Sequence, residues 1–439
     1  MRRELYHNLI DWKKNTRRKP LLLQGARQVG KTWLIEHFGK KEYTNYIYVN
    51  FEETPEAKSI FSADLIPQKI IENIGLWKNI KINKTDTLIF FDEIQLCPEA
   101  ITSLKYFQEK APEYHVIAAG SLLGVSIGKS TGFPVGKVNF LTLYPLSFKE
   151  FLMALNEDLL VERLTLHQTE KSIPEIVHTK LIDYFKMYLF LGGMPEVIRD
   201  YIENKDIKGA RQIQLEILKS YHRDFSKYAN PFEALKIAAI WDSVPSQLAK
   251  ENKKFKFSLI HDKARSNTYE LAIEWLKKAG LLYLVYQLKV AKLPLAGYAD
   301  LSKFKIFSLD TGLLGAMLNI SSEIIIKPDS LFTEYNGAFI ENYVCSELKR
   351  MTEEEIYYWT SDREAEVDFI IHYQDEIVPI EVKSGLSKDL KSLRIFEEKF
   401  KSKRIIRISP RIFVKHDSFI NIPLYGIMGL KSILEHKNG

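Results

Sequence analysis

The fold of this chain is decided by the stretch Gly25-Ala26-Arg27-Gln28-Val29-Gly30-Lys31-Thr32. It matches the pattern Gly-x-x-x-x-Gly-Lys-Ser/Thr in full, follows a short apolar run over Pro20–Gln24, and precedes helical periodicity over Lys31–Phe38. Glycines let backbone N–H groups curl around phosphates, and the start of the helix adds partial positive charge. Lys31 is expected to reach the β- and γ-phosphates and Thr32 to hold Mg²⁺. The stretch therefore predicts a binding site for ATP and Mg²⁺ that runs from Gly25 to Thr32.

A carboxylate pair follows on a later strand. The apolar run over residues 88–91 fits a buried strand and leads directly into Asp92 and Glu93. In open α/β sheets, ligands bind at the carboxyl ends of the strands. Asp92 is expected to hold Mg²⁺ through water, and Glu93 to polarise the attacking water. The next strand ends at Gly120-Ser121, where Ser121 is either a sensor of the γ-phosphate or an ordinary polar residue at a strand end.

The composition limits the class of protein. With 439 residues the chain has the length of two to four domains, and its 46% hydrophobic and 27% charged residues are typical of a folded protein. No apolar stretch is long enough for a membrane span. The two cysteines, Cys97 and Cys345, exclude a disulfide framework and favour a reducing cytoplasm. The net charge of +6 permits a polyanionic partner without requiring one.

Four regions follow one another along the chain. Strands alternate with helices over residues 1–150, which predicts a parallel sheet with helices on both faces. Residues 151–230 are almost wholly helical and predict a helical lid region. Residues 231–312 contain helical segments and a β-hairpin, the layout of a winged helix, and residues 313–439 again mix helices and strands. The predicted fold class is therefore α/β and multidomain.

Two features of the middle regions have simple structural interpretations. The break at Gly192-Gly193-Met194-Pro195 predicts a tight approach between helices, and Asp310-Thr311-Gly312 predicts a turn with a helix cap. The helix after Arg265 would present Arg265, Asn267 and Tyr269 at its start, which are residue types that contact DNA from a recognition helix. Winged helices also serve as protein-interaction or packing modules, and the sequence leaves both roles open.

A second group of chemical residues lies near the C-terminus. Asp368 ends one predicted strand, and Glu381 and Lys383 share a face of the next. Two carboxylates and a lysine across a hairpin predict a divalent metal site that orients water toward a phosphodiester, with Glu341 on the preceding helix as a further ligand. Strands that end in such residues are also common in proteins without this activity. Residues 383–415 carry eleven Lys and Arg against three Asp and Glu, which suits either a phosphate backbone or a solvated surface.

These motifs together resemble a family of AAA-type ATPases of bacteria and archaea whose C-terminal region was long labelled as of unknown function. The residues that carry the resemblance are Gly25–Thr32, Phe91-Asp92-Glu93-Ile94-Gln95, Leu143-Tyr144-Pro145-Leu146-Ser147-Phe148-Lys149-Glu150-Phe151, Gly192-Gly193-Met194-Pro195-Glu196, Asp310-Thr311-Gly312-Leu313-Leu314 and Glu381-Val382-Lys383-Ser384-Gly385. The resemblance implies a PD-(D/E)XK nuclease-like fold for the C-terminal region, and Glu341, Asp368, Glu381 and Lys383 are similar to the core of that fold.

One position departs from the family pattern. Members usually have Gly-Arg shortly before the Pro-Leu-Ser-Phe segment, whereas this chain has Gly136-Lys137. If the arginine acts as a γ-phosphate finger between subunits, Lys137 is a poorer one because it lacks the planar fork. The substitution predicts slow hydrolysis or a switch.

The leading hypothesis is a cytoplasmic ATPase, able to form oligomers, that couples ATP to DNA binding and a nuclease-like region. The first alternative is a nucleotide-dependent regulatory switch that binds a protein partner and has an inactive nuclease fold. The second is a transport or chaperone-type ATPase, although no pore-loop motif supports it.

Overall fold

The computed structural model describes residues 1–62, 64–121, 134, 136–166, 173–249, 254–260, 265–320, 336–352, 354–361, 365–385 and 389–435. The chain forms two compact units. The first comprises Met1–Pro145 with Lys278–Leu281, and the second comprises Leu146–Lys277 with Leu282–Gly439. The predicted α/β multidomain class is confirmed.

The first unit is built on a five-stranded sheet with the strand order β2-β3-β4-β1-β5, and every pairing in it is parallel. Its strands are β1 Leu21–Gln24, β2 Asn45–Asn50, β3 Thr87–Asp92, β4 His115–Ala119 and β5 Asn139–Thr142. Its helices are α1 Leu5–Lys14, α2 Lys31–Glu42, α3 Ser59–Ser62, α4 Pro67–Lys78 and α5 Pro98–Lys110. Because the strands are parallel, the residues that follow β1, β3 and β4 all lie at one edge of the sheet.

The core of this unit explains why β3 reads as one continuous apolar run. All of Thr87–Asp92 is buried, and Phe90 and Phe91 have no exposed surface. Burying each such ring contributes roughly 1.5–3 kcal/mol relative to leaving it in water. A strand packed on both faces has no solvent side and therefore needs no alternation of polar residues.

The second unit combines helices with an eight-stranded mixed sheet of order β12-β13-β11-β10-β9-β8-β6-β7. Its helices are α6 Phe148–Ala154, α7 Asp158–Leu166, α8 Glu175–Leu191, α9 Pro195–Asn204, α10 Ile207–Tyr228, α11 Pro231–Leu248, α12 Ser266–Lys278, α13 Thr311–Met317, α14 Asn336–Met351, α15 Lys391–Phe400 and α16 Leu430–Glu435. Its strands are β6 Leu282–Leu288, β7 Ala299–Ser308, β8 Tyr357–Thr360, β9 Glu366–Tyr373, β10 Glu376–Val382, β11 Ile405–Ser409, β12 Val414–His416 and β13 Phe419–Pro423.

The hairpin predicted to form the wing of a winged helix is part of this sheet. Strands β6 and β7 are antiparallel, and β6 also pairs with β8 in parallel. The sheet therefore continues across residue 312, the predicted boundary with the C-terminal region. Helix α11 is continuous over Pro231–Leu248.

The double-glycine turn brings α8 close to the start of α13. Gly192 has a φ of 73°, and a Cβ there would lie 2.2 Å from Oδ1 of Asp310. The Gly193 N–H donates to Asp310 Oδ2 over 2.6 Å, and the Leu313 N–H donates to Oδ1 over 2.9 Å. Asp310 thus caps α13 and ties it to the turn, in agreement with the tight approach and the cap predicted from the sequence.

Candidate functional site

The phosphate loop joins the end of β1 to the start of α2. Gly25 and Gly30 have φ angles of 148° and 93°, which L side chains rarely adopt, and Gln28 has a φ of 66°. A Cβ on Gly25 would lie 2.2 Å from the carbonyl oxygen of Leu143. The loop therefore requires glycine at both motif positions, and the helix that follows directs its N-terminal N–H groups toward the loop.

Lys31 folds back onto the loop that precedes it. Its Nζ donates to the carbonyl oxygens of Gly25 over 2.9 Å and of Ala26 over 2.7 Å. Burial lowers the pKa of Lys31 to about 8, against the opposing effect of the Glu93 and Asp92 carboxylates. The buried ammonium is thus held by neutral acceptors that a phosphate group can replace.

Thr32 and Asp92 meet at the sheet edge. The Thr32 hydroxyl donates to Asp92 Oδ2 over 2.7 Å, and the Tyr48 hydroxyl donates to the same oxygen over 3.1 Å. Burial raises the pKa of Asp92 above its ordinary value. Hydroxyl and carboxylate oxygens are the donors that Mg²⁺ prefers, so this pair fits the ion that accompanies a nucleotide.

Glu93 begins the turn after β3 in a left-handed conformation, with a φ of 48°. Its Oε2 accepts hydrogen bonds from the side-chain amide of Gln95 and from the Ser121 hydroxyl, the latter over 3.3 Å. A left-handed residue with a side chain costs about 1–3 kcal/mol, and such strain concentrates at functional sites. Ser121 therefore contacts the carboxylate that is predicted to polarise water.

Three residues that sequence reasoning missed support this site. Tyr48 binds Asp92, and the Asn50 amide in turn donates to the Tyr48 hydroxyl over 2.9 Å. The buried guanidinium of Arg3 donates to the carbonyl oxygens of Val29 over 2.8 Å and of Tyr144 over 2.5 Å. Tyr48 and Asn50 alternate on β2, the strand beside β3, and this alternation could have indicated that both side chains face Asp92. The sequence around Arg3 contains no pattern that predicts its contact with the phosphate loop.

Lys137, the residue in place of the family arginine, lies beside α5. Its Nζ is 3.1 Å from Glu109 Oε1, and both side chains are partly exposed. An exposed ion pair of this kind contributes at most about 1 kcal/mol. The ammonium is therefore held only weakly in this position.

The predicted C-terminal residues share one face of the second sheet. The register pairs Phe369 on β9 with Ile380 on β10, which places Asp368 and Glu381 side by side on the same face. The Val382 N–H donates to Asp368 Oδ2 over 2.8 Å. Lys383 Nζ lies 2.7 Å from Glu381 Oε1. The hairpin thus brings Asp368, Glu381 and Lys383 together.

The structure adds a lysine to this group that sequence reasoning missed. Lys305 on β7 is buried, donates to Glu366 Oε1, and lies 4.0 Å from Asp368 Oδ1. Burial alone would lower the pKa of Lys305, but the charges of Glu341, Glu366 and Asp368 raise it above its ordinary value. Burial, and then the Glu341 charge, raise the pKa of Asp368 above its ordinary value.

The sequence predicts a divalent metal site in this region. Within the part of the chain that the structure describes, no three His, Cys, Asp or Glu side chains are placed to hold one metal ion. The assignment of Glu341, Asp368 and Glu381 to one divalent ion stays a prediction. Lysines contact two of these carboxylates, Lys305 beside Asp368 and Lys383 beside Glu381.

Only some of the basic side chains of residues 383–415 lie on the surface. Arg407 is buried and donates to Asn421 Oδ1 over 2.8 Å, and Arg404 Nε lies 3.2 Å from Glu376 Oε2. Lys391, Lys401 and Lys415 are exposed. In the middle region, Arg265 and Asn267 are exposed, whereas Tyr269 is buried and packs inside the unit.

The first unit matches a known protein family. Residues 17–152 match the family model described as an AAA domain. This match and the loop from Gly25 to Thr32 indicate an AAA-type P-loop domain in the first unit. Residues 182–324 and 336–425 match two further models, each described as a domain of unknown function, DUF8612 and DUF4143. A search of curated proteins finds no match.

Solved structures include several similar chains. A Walker-type ATPase of Pyrococcus abyssi is 15% identical, with a TM-score of 0.44 over 72% of this chain and 95% of its own. The ORC2 protein of Aeropyrum pernix in its ADP form is also 15% identical, with a TM-score of 0.31 over 74% and 92%. DnaA of Aquifex aeolicus bound to AMPPCP is 15% identical, with a TM-score of 0.26 over 63% and 88%.

Each helix in the described ranges is too short or too polar to cross a bilayer.

Proposed function

We propose that this protein is a Mg²⁺-dependent ATPase whose nucleotide state is coupled to a DNA-binding, nuclease-like region over residues 313–439. The observation that carries the ATPase part is the 2.7 Å hydrogen bond between Thr32 and Asp92. It joins the residue after the motif lysine to the carboxylate at the end of β3, two groups that are 60 positions apart in the chain. Thr32 and Asp92 would hold Mg²⁺, which supplies charge neutralisation at the phosphates when bound.

In this proposal Lys31 provides the first change on binding. Its ammonium leaves the carbonyls of Gly25 and Ala26 and donates to phosphate oxygens instead. Charge-assisted hydrogen bonds of this type are roughly twice as strong as those to neutral acceptors. The exchange therefore favours binding without requiring new side chains to enter the site.

Glu93 provides the group that acts on water. Its Oε2 is engaged by Gln95 and Ser121, which hold the side chain in one orientation. The carboxylate then accepts a hydrogen bond from the water that attacks the γ-phosphate in line. Gln95 and Ser121 are positioning residues here, because each acts through Glu93.

The test of the ATPase proposal is nucleotide binding by Lys31→Ala, measured with a fluorescent ATP analogue and followed by phosphate release. We expect at least a tenfold loss of affinity and loss of turnover. The exposed Lys40→Ala, on the same helix, is the matched control and is expected to behave like the wild type. Unchanged affinity in Lys31→Ala would overturn the proposal.

For the C-terminal region the second candidate is a regulatory switch with an inactive nuclease fold. The observation that favours it is the Lys305 ammonium beside Glu366 and Asp368. Plasmid nicking separates the two candidates. Metal-dependent nicks that disappear in Asp368→Ala, Glu381→Ala and Lys383→Ala would support these three residues as catalytic. Absence of nicking with Mg²⁺, Mn²⁺ and Ca²⁺ would support the switch.

The proposal places the protein in the cytoplasm, where ATP is available and the buried free thiols of Cys97 and Cys345 stay reduced. The proposal also includes self-association, because Lys137 would contact the γ-phosphate of a nucleotide bound to a neighbouring subunit. Light scattering with and without nucleotide measures this directly.

A further inference from the structure

A row of polar residues crosses one face of the second sheet, and cations flank its acids. The register pairs Asn421 on β13 with Arg407 on β11, and Arg407 with Glu381 on β10. Asp368 and Glu366 continue the same face along β9. Lys305 on β7 meets both of these acids. The carboxylates on this face therefore lie between an arginine on one side and a lysine on the other.

Lys305 is so deeply buried that its charge must be stabilised by nearby carboxylates. Only 1% of its surface is exposed, and the residues from Phe304 to Ser308 that surround it on the strand are buried as well. Moving an ammonium from water into such a place costs several kcal/mol unless carboxylates offset the loss of hydration. Glu366 accepts its hydrogen bond, Asp368 lies 4.0 Å away, and the ring centroid of Tyr358 lies 4.9 Å away. The site is thus arranged around this one positive charge.

A divalent ion and this ammonium compete for the same carboxylate oxygens. Mg²⁺ requires oxygens at roughly 2.0–2.1 Å in octahedral geometry. The Glu366 and Asp368 oxygens instead face Lys305 Nζ, and Glu381 Oε1 faces Lys383. A second cation at this place would also meet a fixed positive charge in a medium that screens poorly, which costs more than the same repulsion in water.

We propose that the Lys305 ammonium takes the place of a divalent metal in the carboxylate pocket formed by Glu366 and Asp368. The residues of a nuclease-like site are present in this pocket, but an internal cation neutralises them and the wild-type pocket takes no metal. The inference concerns the second unit alone and holds whether or not the first unit hydrolyses ATP.

The test is a metal titration of the full chain without nucleotide, with Tb³⁺ luminescence and Mn²⁺ calorimetry as probes. Tyr358 and the neighbouring Trp359 would sensitise Tb³⁺ bound in this pocket. We expect Lys305→Met to bind Mn²⁺ at least roughly tenfold more tightly than the wild type and to give a new Tb³⁺ signal. The double variant Lys305→Met with Asp368→Asn is expected to lose that signal. Lys303→Met removes an exposed lysine of the same strand and is expected to change nothing.

Two results would overturn the inference. The first is Mn²⁺ binding by the wild type that Asp368→Asn abolishes and Thr32→Val does not, since the pocket would then hold a metal despite Lys305. The second is a folded Lys305→Met, verified by circular dichroism, that gains no metal binding. If Lys305→Met does not fold, the titration of the wild type alone tests the inference. The expected result is that the wild type shows no metal binding that Asp368→Asn removes.

Discussion

The Thr32 hydroxyl and the Asp92 carboxylate are joined by a 2.7 Å hydrogen bond at the carboxyl edge of the five-stranded sheet. Thr32 is the second residue of α2, and Asp92 is the last residue of β3. The two groups are thus positioned for Mg²⁺ by rigid elements, before a nucleotide binds.

Replacing Thr32 by valine should weaken binding of Mg²⁺-ATP by at least tenfold while leaving binding of ATP in excess chelator nearly unchanged. The reason is that valine keeps the shape of threonine but removes the hydroxyl oxygen that would bind the ion. Calorimetric titration with and without Mg²⁺ measures both affinities. Thr102→Val, on the exposed side of α5, is the control. Equal losses with and without Mg²⁺ would contradict the role assigned to Thr32.

The affinity for ATP without Mg²⁺ should depend on pH through Lys31. Its pKa is lowered to about 8 from 10.5, so the side chain is charged below pH 8 and loses its proton as the pH rises above it. Phosphates favour the charged form, so binding raises this pKa and takes up a proton above pH 8. We expect affinity to be level below about pH 7 and to fall by up to about tenfold per unit above pH 8.

Lys31→Arg provides the control for this pH dependence, because its guanidinium stays charged throughout the range. Fluorescence titrations of both proteins between pH 6.5 and 9.5, a range set by the Lys31 pKa of about 8, give the comparison. An identical slope in the arginine variant would show that another group titrates.

Glu93→Gln should lower the rate of ATP hydrolysis by roughly 10²–10⁴-fold with little change in nucleotide affinity, because the amide is a poor proton acceptor. Ser121→Ala and Gln95→Ala should lower the rate less, since each removes one of the hydrogen bonds that orient Glu93. Phosphate release under saturating ATP measures the rate. Glu99→Gln, an exposed acid at the start of α5, is expected to match the wild type. Hydrolysis at the wild-type rate in Glu93→Gln would assign the water to another residue.

Gly192→Ala should destabilise the second unit by about 2–3 kcal/mol, because the φ of 73° disfavours a side chain and the new Cβ would collide with Asp310. Gly297→Ala is the matched control, since no atom of the described residues lies within 4 Å of a Cβ there. Chemical denaturation followed by circular dichroism gives both free energies of unfolding. Equal stabilities of the two variants would mean that the turn relaxes around alanine.

DNA binding should depend on the exposed lysines of the C-terminal region and not on its buried arginine. Lys391→Gln with Lys401→Gln should weaken binding to duplex DNA and reduce the slope of log affinity against log salt by about 0.9 for each phosphate that is no longer neutralised. Fluorescence anisotropy over a salt series measures that slope. Lys40→Gln in the first unit is the control. A flat salt response of the wild type would exclude binding to the DNA backbone.

The fold was predictable wherever the pattern of apolar residues was local. Strands β1 and β3 lie within one or two residues of the expected positions, because each is a buried run flanked by turns. Strand β5 was missed, since Asn139–Thr142 is a short edge strand with Phe140 exposed. Edge strands carry little hydrophobic signal, and their pairing is decided by the strand beside them.

The charged residues of the C-terminal region show what could not be predicted from a local pattern. The spacing of Glu381 and Lys383 places them on one face of a strand, and their 2.7 Å ion pair follows from that local geometry. Lys305, in contrast, gave no signal within its own apolar strand. Its contact with Glu366 joins positions 61 residues apart and depends on the order of strands in the sheet.

The sequence by itself determined the nucleotide site from Gly25 to Thr32, because the loop, its glycines and its lysine are adjacent and their geometry is set by a strand, a turn and a helix. Only the tertiary structure decided the charge balance of the carboxylate pocket. The pairing of β6 with β8 brings β7 and its Lys305 to the acids of β9, and no local pattern specifies which strands become neighbours. The physical reason is that burial of an ammonium is stable only where distant carboxylates surround it.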